Sequence, residues 1–470
     1  MPKKEYKFKR SLNLFDATML LMGSMIGSGI FIVTADVART VGSSGYMLVA
    51  WAVAGVMTVI AALCYGELAS MMPRVGGQYV YLREAYNPLM GFLYGWTFFL
   101  VMQTGTIAAI SMAFAKYTGV IFPFFSDKNV LLDIGLLKIN SAQLLAISII
   151  VVLTYVNTRG LQGGKMIQNI FTVAKIAALV GLIVVGIFIG KNYAVVQANF
   201  ANMWSATWTH VKDGQILNVE MLNGIKLIAV LGIAMVGPLF AADSWTNMTA
   251  VAGEIKKPKI NIPVSLVVGT AAVMTLYVLA NFAYLFTLPM REIQFAVNDR
   301  VAAASIFTVV GGASTIIMAA LIMVSTFGCS NGAVLSGARV YYAMAKDKLF
   351  FKKIGELNER NVPGFGLVTQ AVWASLLCLS GSYSDLLDYV IFAALLFYIM
   401  TVIGLFILRV KKPKAQRPYK TWGYPVLPAL YLLMAAFISV CLLIYKPMYT
   451  WPGLGIVLLG VPVYYIWKKI

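Results

Sequence analysis

The first long apolar run of this chain is interrupted by Met22-Gly23-Ser24-Met25-Ile26-Gly27-Ser28-Gly29-Ile30-Phe31, which sets three glycines and two serines among apolar residues. A glycine inside a helix costs about 1 kcal/mol relative to alanine, so the stretch predicts a helix that breaks here. Non-helical backbone survives at membrane depth only where protein buries it or where it lines a cavity. The amides that open the second half-helix then form an anion site. Close helix packing is the competing account, because small residues also let backbones approach; a Gly-x-x-x-Gly contact, however, needs no adjacent Gly-Ser-Gly.

Comparable apolar runs recur along the whole chain, and only 12% of its 470 residues are charged while 60% are hydrophobic. Soluble domains carry about 25% charged residues. The chain therefore reads as an all-α polytopic membrane protein. Taking about 20 apolar residues per crossing, twelve spans are predicted, near 14–38, 45–70, 88–118, 142–157, 166–190, 226–252, 263–287, 302–344, 365–381, 385–409, 426–445 and 452–467.

The net charge of +19 sits in the short segments between these runs, where the positive-inside rule accounts for it and nucleic-acid binding is not implied. An even count of spans puts both termini on one side. That side carries Lys3, Lys4, Lys7, Lys9 and Arg10, then Lys256, Lys257 and Lys259, then Lys346, Lys348, Lys352 and Lys353, then Arg409, Lys411, Lys412, Lys414, Arg417 and Lys420. It is assigned to the cytoplasm. The longest insertion, 191–225, falls on the external side with Trp204 and Trp208 as interfacial anchors. No small-residue cleavage site follows the basic tail, so the first helix is expected to stay in the mature chain. Cys64, Cys329, Cys378 and Cys441 lie within or beside apolar runs, which offers neither a disulfide framework nor a zinc spacing, and His210 stands alone in a polar loop. No metal, no cofactor and no enzymatic nucleophile–base pair is expected.

A second interruption falls in the sixth span, Gly232-Ile233-Ala234-Met235-Val236-Gly237-Pro238-Leu239-Phe240-Ala241-Ala242-Asp243-Ser244-Trp245. Pro238 removes a backbone donor, and the neighbouring Gly, Asp and Ser weaken the helix further. Paired interruptions five helices apart point to an inverted repeat with a midplane binding site. The chain then divides into a basic tail (1–13), a first repeat (14–190), an external loop (191–225), a second repeat (226–410) and two further helices (411–470). No residue-level repeat between the halves is evident.

Lys175 lies near the middle of the fifth span. A lysine at that depth costs about 2.5–3.5 kcal/mol on insertion scales and is a functional candidate by default, with a buried structural ion pair as the alternative. Glu67, Glu254, Arg339 and Asp388 lie nearer span ends, where ion pairs or solvated positions are expected.

These features resemble the amino acid–polyamine–organocation (APC) superfamily of permeases, and within it the bacterial relatives of the L-type amino acid transporters. The resemblance runs through Gly27-Ser28-Gly29-Ile30-Phe31, Tyr65-Gly66-Glu67-Leu68-Ala69, Pro73-Arg74-Val75-Gly76-Gly77-Gln78-Tyr79-Val80-Tyr81 and Phe171-Thr172-Val173-Ala174-Lys175. It continues through Phe240 to Trp245, Gly253-Glu254, Asn331-Gly332, Gly337-Ala338-Arg339-Val340-Tyr341-Tyr342 and Arg417-Pro418-Tyr419-Lys420-Thr421-Trp422-Gly423-Tyr424-Pro425. It implies a LeuT-type 5+5 inverted repeat with broken helices 1 and 6, alternating access, and an amino-acid substrate held between those two helices. Two departures stand out. Asp243-Ser244 occupies a stretch where related transporters often have small residues, and 118–141 lacks the cysteine that links animal L-type proteins to a glycoprotein, so no covalently linked partner subunit is expected.

A zwitterionic amino acid needs donors for its carboxylate and acceptors for its ammonium. The amides of Gly27, Ser28 and Gly29 with the Ser24 and Ser28 hydroxyls are the expected donors. Backbone carbonyls before the first break, at Ile26, and at the second, from Phe240 through Ala241 and Ala242 to Asp243, are the expected acceptors. The resemblance makes Phe240 the aromatic that closes over substrate. It also places the Lys175 ammonium where sodium-coupled relatives hold a cation, bridging helix-1 carbonyls to helix-8 hydroxyls, with Ser325 and Ser330 as candidates. The expected function is a sodium-independent amino-acid permease in the cytoplasmic membrane, working as an exchanger or with a proton. A cationic amino acid or polyamine antiporter selected by Asp243 is the alternative on the same fold, and a transporter-like nutrient sensor the alternative in another class.

Overall fold

The computed structural model of the protein describes residues 8–133, 138–212, 215–380 and 383–469; Lys3, Lys4 and Lys7 of the tail and the Asp388 side chain lie outside the described residues. Among the described residues, ten helices are long and apolar enough to cross a membrane, or eleven if the pair bent by 42° at the first interruption is one crossing. A shorter apolar helix, Gly364–Leu379, adds to these.

In chain order the helices are α1 (Leu14–Met25), α2 (Gly29–Val41), α3 (Ser44–Met71), the short α4 (Gln78–Ala85), α5 (Pro88–Ile121), α6 (Ser141–Thr158) and α7 (Leu161–Ile189). They continue with α8 (Gly224–Ala241), α9 (Pro258–Thr287), α10 (Val301–Lys346), α11 (Gly364–Ser380), α12 (Tyr383–Lys411), α13 (Val426–Tyr445) and α14 (Pro447–Lys469). The helices α1, α3, α7, α9 and α10 pack into one contiguous core, while α13 and α14 lie against α8, α12 and α5 at its flank. Two antiparallel hairpins decorate one face: β1 (Val130–Asp133) with β2 (Lys138–Asn140), and β3 (Thr207–Lys212) with β4 (Gln215–Met221). The second hairpin and a short helix over Tyr193–Ala201 occupy most of the 191–225 insertion.

Both interruptions have structural counterparts. The first is where the sequence puts it: α1 ends at Met25, whose successor Ile26 is extended (φ −74°, ψ 92°), and α2 starts at Gly29. The packing account holds there too. A Cβ on Gly29 would lie 2.8 Å from Cβ and 2.9 Å from Cα of Ala241, so the two interruptions touch backbone to backbone. In the second, α8 is interrupted at Met235, between helical stretches Gly224–Ala234 and Val236–Ala241, where Pro238 lacks the amide that the Ala234 carbonyl would accept. The chain then unwinds over 242–246, where Ser244 has φ 69°.

The face carrying the N-terminal segment is closed by polar contacts. Leu12 bridges to Ile255, and the Leu12 carbonyl accepts from the Lys256 amide at 2.7 Å. The expected span-end charges are paired: Arg339 reaches Glu254 at 2.9 Å with both side chains buried, and Glu67 accepts from Arg409 at 2.5 and 2.9 Å and lies 3.2 Å from Arg417. Breaking such a pair strands a buried charge, at about 3–5 kcal/mol.

Candidate functional site

Residues 26–28 have no helical continuation, so their carbonyls and those of the last α1 turn need other donors. Lys175 of α7 supplies three at once: its Nζ donates to the carbonyls of Gly23 (2.6 Å), Ile26 (2.7 Å) and Ser325 (3.0 Å) and is fully buried. Ser325 of α10 completes the set, its hydroxyl 3.1 Å from both the Ile26 and Gly27 carbonyls. The ammonium therefore meets the Ser325 carbonyl, not its hydroxyl as expected. Ser330 does not join this group; its hydroxyl pairs with Ser111 of α5 at 3.2 Å. Cys329 lies beside it, donating from Sγ to the Ser24 carbonyl at 2.8 Å.

The Lys175 contact is the end of a longer ladder. On one face of α7, Lys165 pairs with Asp16 at 2.8 Å, Asn169 donates to Asp16 at 2.9 Å, and Thr172 donates to the Met19 carbonyl at 3.1 Å. Spacings of three and four residues put these side chains on a common stripe. Every turn of α1 is held to α7 this way.

Two tyrosines and an asparagine of α9 hold the other side. The Tyr277 hydroxyl lies 3.1 Å from the Met25 carbonyl and 3.1 Å from the Ala241 carbonyl, touching the last residue of α1 and the last of α8. Asn281 accepts from Thr34 at 2.9 Å, and Tyr284 donates to the Ile30 carbonyl at 3.2 Å. A tyrosine in an apolar span reads as core packing, and only its position in space marks Tyr277 as the link between the interruptions.

Of the expected donors, Ser28 caps α2 without a side-chain bond to the helix, and Ser24 is buried with a hydroxyl that has no partner. Gly27 faces the Cys329 thiol, whose Sγ lies 3.3 Å from where a Cβ would be. Phe240 is half-buried in the wall of a cavity of about 950 Å³ that runs past Ile32, Val33 and Gly237 to the face bearing the hairpins. Asp243 turns elsewhere. Its carboxylate accepts from Tyr398 at 2.5 Å in a separate space of about 20 Å³ walled by α3, α8, α12 and α13, with Thr58, Trp245 and Tyr431 around it. The site thus gathers Ser24, Ile26, Gly27, Lys175 and Ser325 around one break, brings Gly29 against Ala241, and leaves Ser330 and the Asp243 carboxylate to other partners.

A sequence profile of the family described as "Amino acid permease" matches residues 12–461. The chain belongs to the amino acid permease family. Members similar to it include the serine/threonine exchanger SteT of Bacillus subtilis, 29% identical over 474 residues that span 100% of this chain and 99% of the relative. The large neutral amino acids transporter small subunit 2 of Rattus norvegicus is 30% identical over 464 residues, 97% of this chain and 80% of the relative. The b(0,+)-type amino acid transporter 1 of Mus musculus is 28% identical over 442 residues, 93% of this chain and 84% of the relative. As an amino acid permease the chain is a multi-pass membrane protein and not an enzyme.

Proposed function

We propose that this permease is a sodium-independent amino-acid exchanger of the cytoplasmic membrane, built as twelve crossings in a LeuT-type 5+5 inverted repeat with both termini in the cytoplasm. The observation that carries the reading is the Lys175 ammonium among the Gly23, Ile26 and Ser325 carbonyls. Three convergent carbonyl dipoles between two helices form a cation site, and a tethered ammonium occupies it. A second cation there meets like-charge repulsion in a medium of low dielectric, so Na⁺ is excluded.

Substrate then binds at the adjoining break. The amides of Gly27, Ser28 and Gly29 at the start of α2, with the Ser24 and Ser28 hydroxyls, take the carboxylate. The Ile26 carbonyl is already taken by Lys175 and Ser325, so the carbonyls of Phe240, Ala241 and Ala242 take the ammonium, and Phe240 closes over the substrate from the large cavity. Tyr277 has one proton for two carbonyls, so it couples the two breaks. With a wide cavity on the hairpin face and ion pairs closing the other, the arrangement matches an outward-facing stage of alternating access. Exchange as the mode is supported by the likeness to SteT, a serine/threonine exchanger. The walls around Asp243 favour a neutral substrate over a cationic one, because its carboxylate faces Tyr398 and Tyr431.

Uptake and counterflow in proteoliposomes test this. Transport is expected to persist unchanged when Na⁺ is replaced by choline, and Lys175→Ala is expected to reach the membrane yet transport poorly. Uptake that requires a sodium gradient would overturn the role given to Lys175.

A further inference from the structure

The large cavity leading to Phe240 has a charged wall that the central site does not use. Arg39 is more than offset there, 2.6 Å from Asp299 and 3.6 Å from Asp36. The other charged residues of the wall are Lys116, Lys128, Arg300 and Lys446, against Asp127. The vestibule is therefore basic at the point where an incoming solute first meets it.

Arg300 is the residue best fitted to hold an anion. Its guanidinium lies 5.3 Å from the centroid of the Tyr117 ring, and its Nε is shut off from solvent with no hydrogen-bond partner. A guanidinium clamped on an aromatic face is oriented before a ligand arrives, and its fork matches a carboxylate. Lys116, the residue before Tyr117 on α5, is exposed to the same cavity. We propose that Arg300 and Lys116 form an entry site for the carboxylate of an amino acid, upstream of the break between α1 and α2. The inference rests on the amino-acid reading and outward orientation given above.

The site has physical consequences that the central one lacks. It lies on one face only, so it lowers KM for substrate arriving from that face and leaves the opposite direction alone. It acts partly by steering, which salt screens over a Debye length of about 8–10 Å at physiological ionic strength. It also repels amino acids with cationic side chains, which sets neutral substrates ahead of cationic ones at the entrance.

The test is KM and kcat for radiolabelled L-threonine and L-leucine, measured from the outer face in intact cells and from the inner face in inverted vesicles. Wild type, Arg300→Gln, Lys116→Gln, the double variant and the conservative Arg300→Lys are compared, with surface labelling to fix the amount of protein. The expected result is a rise in outer KM of about three- to tenfold for Arg300→Gln, in line with the loss of one ordinary hydrogen bond on a solvated wall. The rise is partly reversed in Arg300→Lys, and inner KM and kcat hold. Raising the salt raises the outer KM of wild type but not that of the double variant. Equal KM changes from both faces, a fall in kcat alone, or an unchanged outer KM in an active double variant each overturn the entry site while leaving the permease reading intact. Absence of uptake of either substrate by abundant wild type removes the amino-acid reading and the entry site together.

Discussion

At the scale of single residues, the site depends on which polar groups have partners and which do not. Lys175 meets three carbonyls and Ser325 two, which is why one lysine can be tolerated where insertion alone is costly. Asp243 is the residue whose surroundings depart most from the reading of the bare sequence. Placed at the second interruption, it was expected to face substrate; its carboxylate instead accepts from Tyr398 beside Tyr431 and Trp245. Asp243→Asn is still expected to impair transport tenfold or more, about 1.4 kcal/mol or above, because it weakens the tie that sets the unwound segment after α8. On that account Tyr398→Phe impairs transport in the same direction, and the double variant is no worse than the worse single one, since the two residues act as a unit. Initial rates in proteoliposomes across pH check this, and near-normal kinetics in Asp243→Asn would mean that the tie to Tyr398 does not bear on transport.

At the scale of elements, α1 is the part held by polar contacts that can be undone one at a time. The stripe from Lys165 through Asn169 and Thr172 to Lys175 joins it to α7, whereas the contact of Gly29 with Ala241 fixes α2 to α8 by shape alone. Hydrogen bonds contribute about 0.5–1.5 kcal/mol each, so loss of one rung tilts a conformational equilibrium without unfolding the bundle. Thr172→Val and Asn169→Ala are therefore expected to loosen α1 and open the face that the N-terminal segment now closes. In a background where Cys329 is the single cysteine, its alkylation by a permeant maleimide should speed up by about three- to tenfold. The thiol sits against the Ser24 carbonyl and is exposed only when α1 moves. An unchanged labelling rate in both variants would mean that the ladder is packing and not a latch.

At the scale of the whole molecule, the two faces differ in chemistry. One is sealed by Arg339 with Glu254, by Glu67 with Arg409 and Arg417, and by the Leu12 bridge to Ile255. The other carries the hairpins and the wide vestibule. The excess of lysine and arginine on the sealed face is the reason for proposing that it is the cytoplasmic one. A cysteine placed at Lys257 should then resist an impermeant reagent in intact cells, and one placed at Leu217 of the exposed second hairpin should react. The reverse pattern would invert the molecule and with it the entry route.

Much of this architecture is a property of composition and order. Apolar runs long enough to cross a bilayer, glycines that weaken a helix at 22–31, and an unusually deep lysine at 175 follow from transfer energies and local propensity, which act residue by residue. Some helix ends fall within a residue of those readings, as with 45–70 against Ser44–Met71, whereas the sixth span, read as 226–252, ends at Ala241. The family motifs were legible by resemblance, not from these energies. The sequence bounded the second interruption to Gly232–Trp245 without saying where in it the helix gives way, because the cost of Pro238 depends on what its neighbours tolerate; the structure divides it between Met235 and 242–246. The sequence was also silent on Tyr277, on the turning of Asp243 to Tyr398, and on the meeting of Arg300 with Tyr117. Each of these joins residues from distant parts of the chain, and side-chain type constrains only what a residue can bond, while the packed helices decide what it meets.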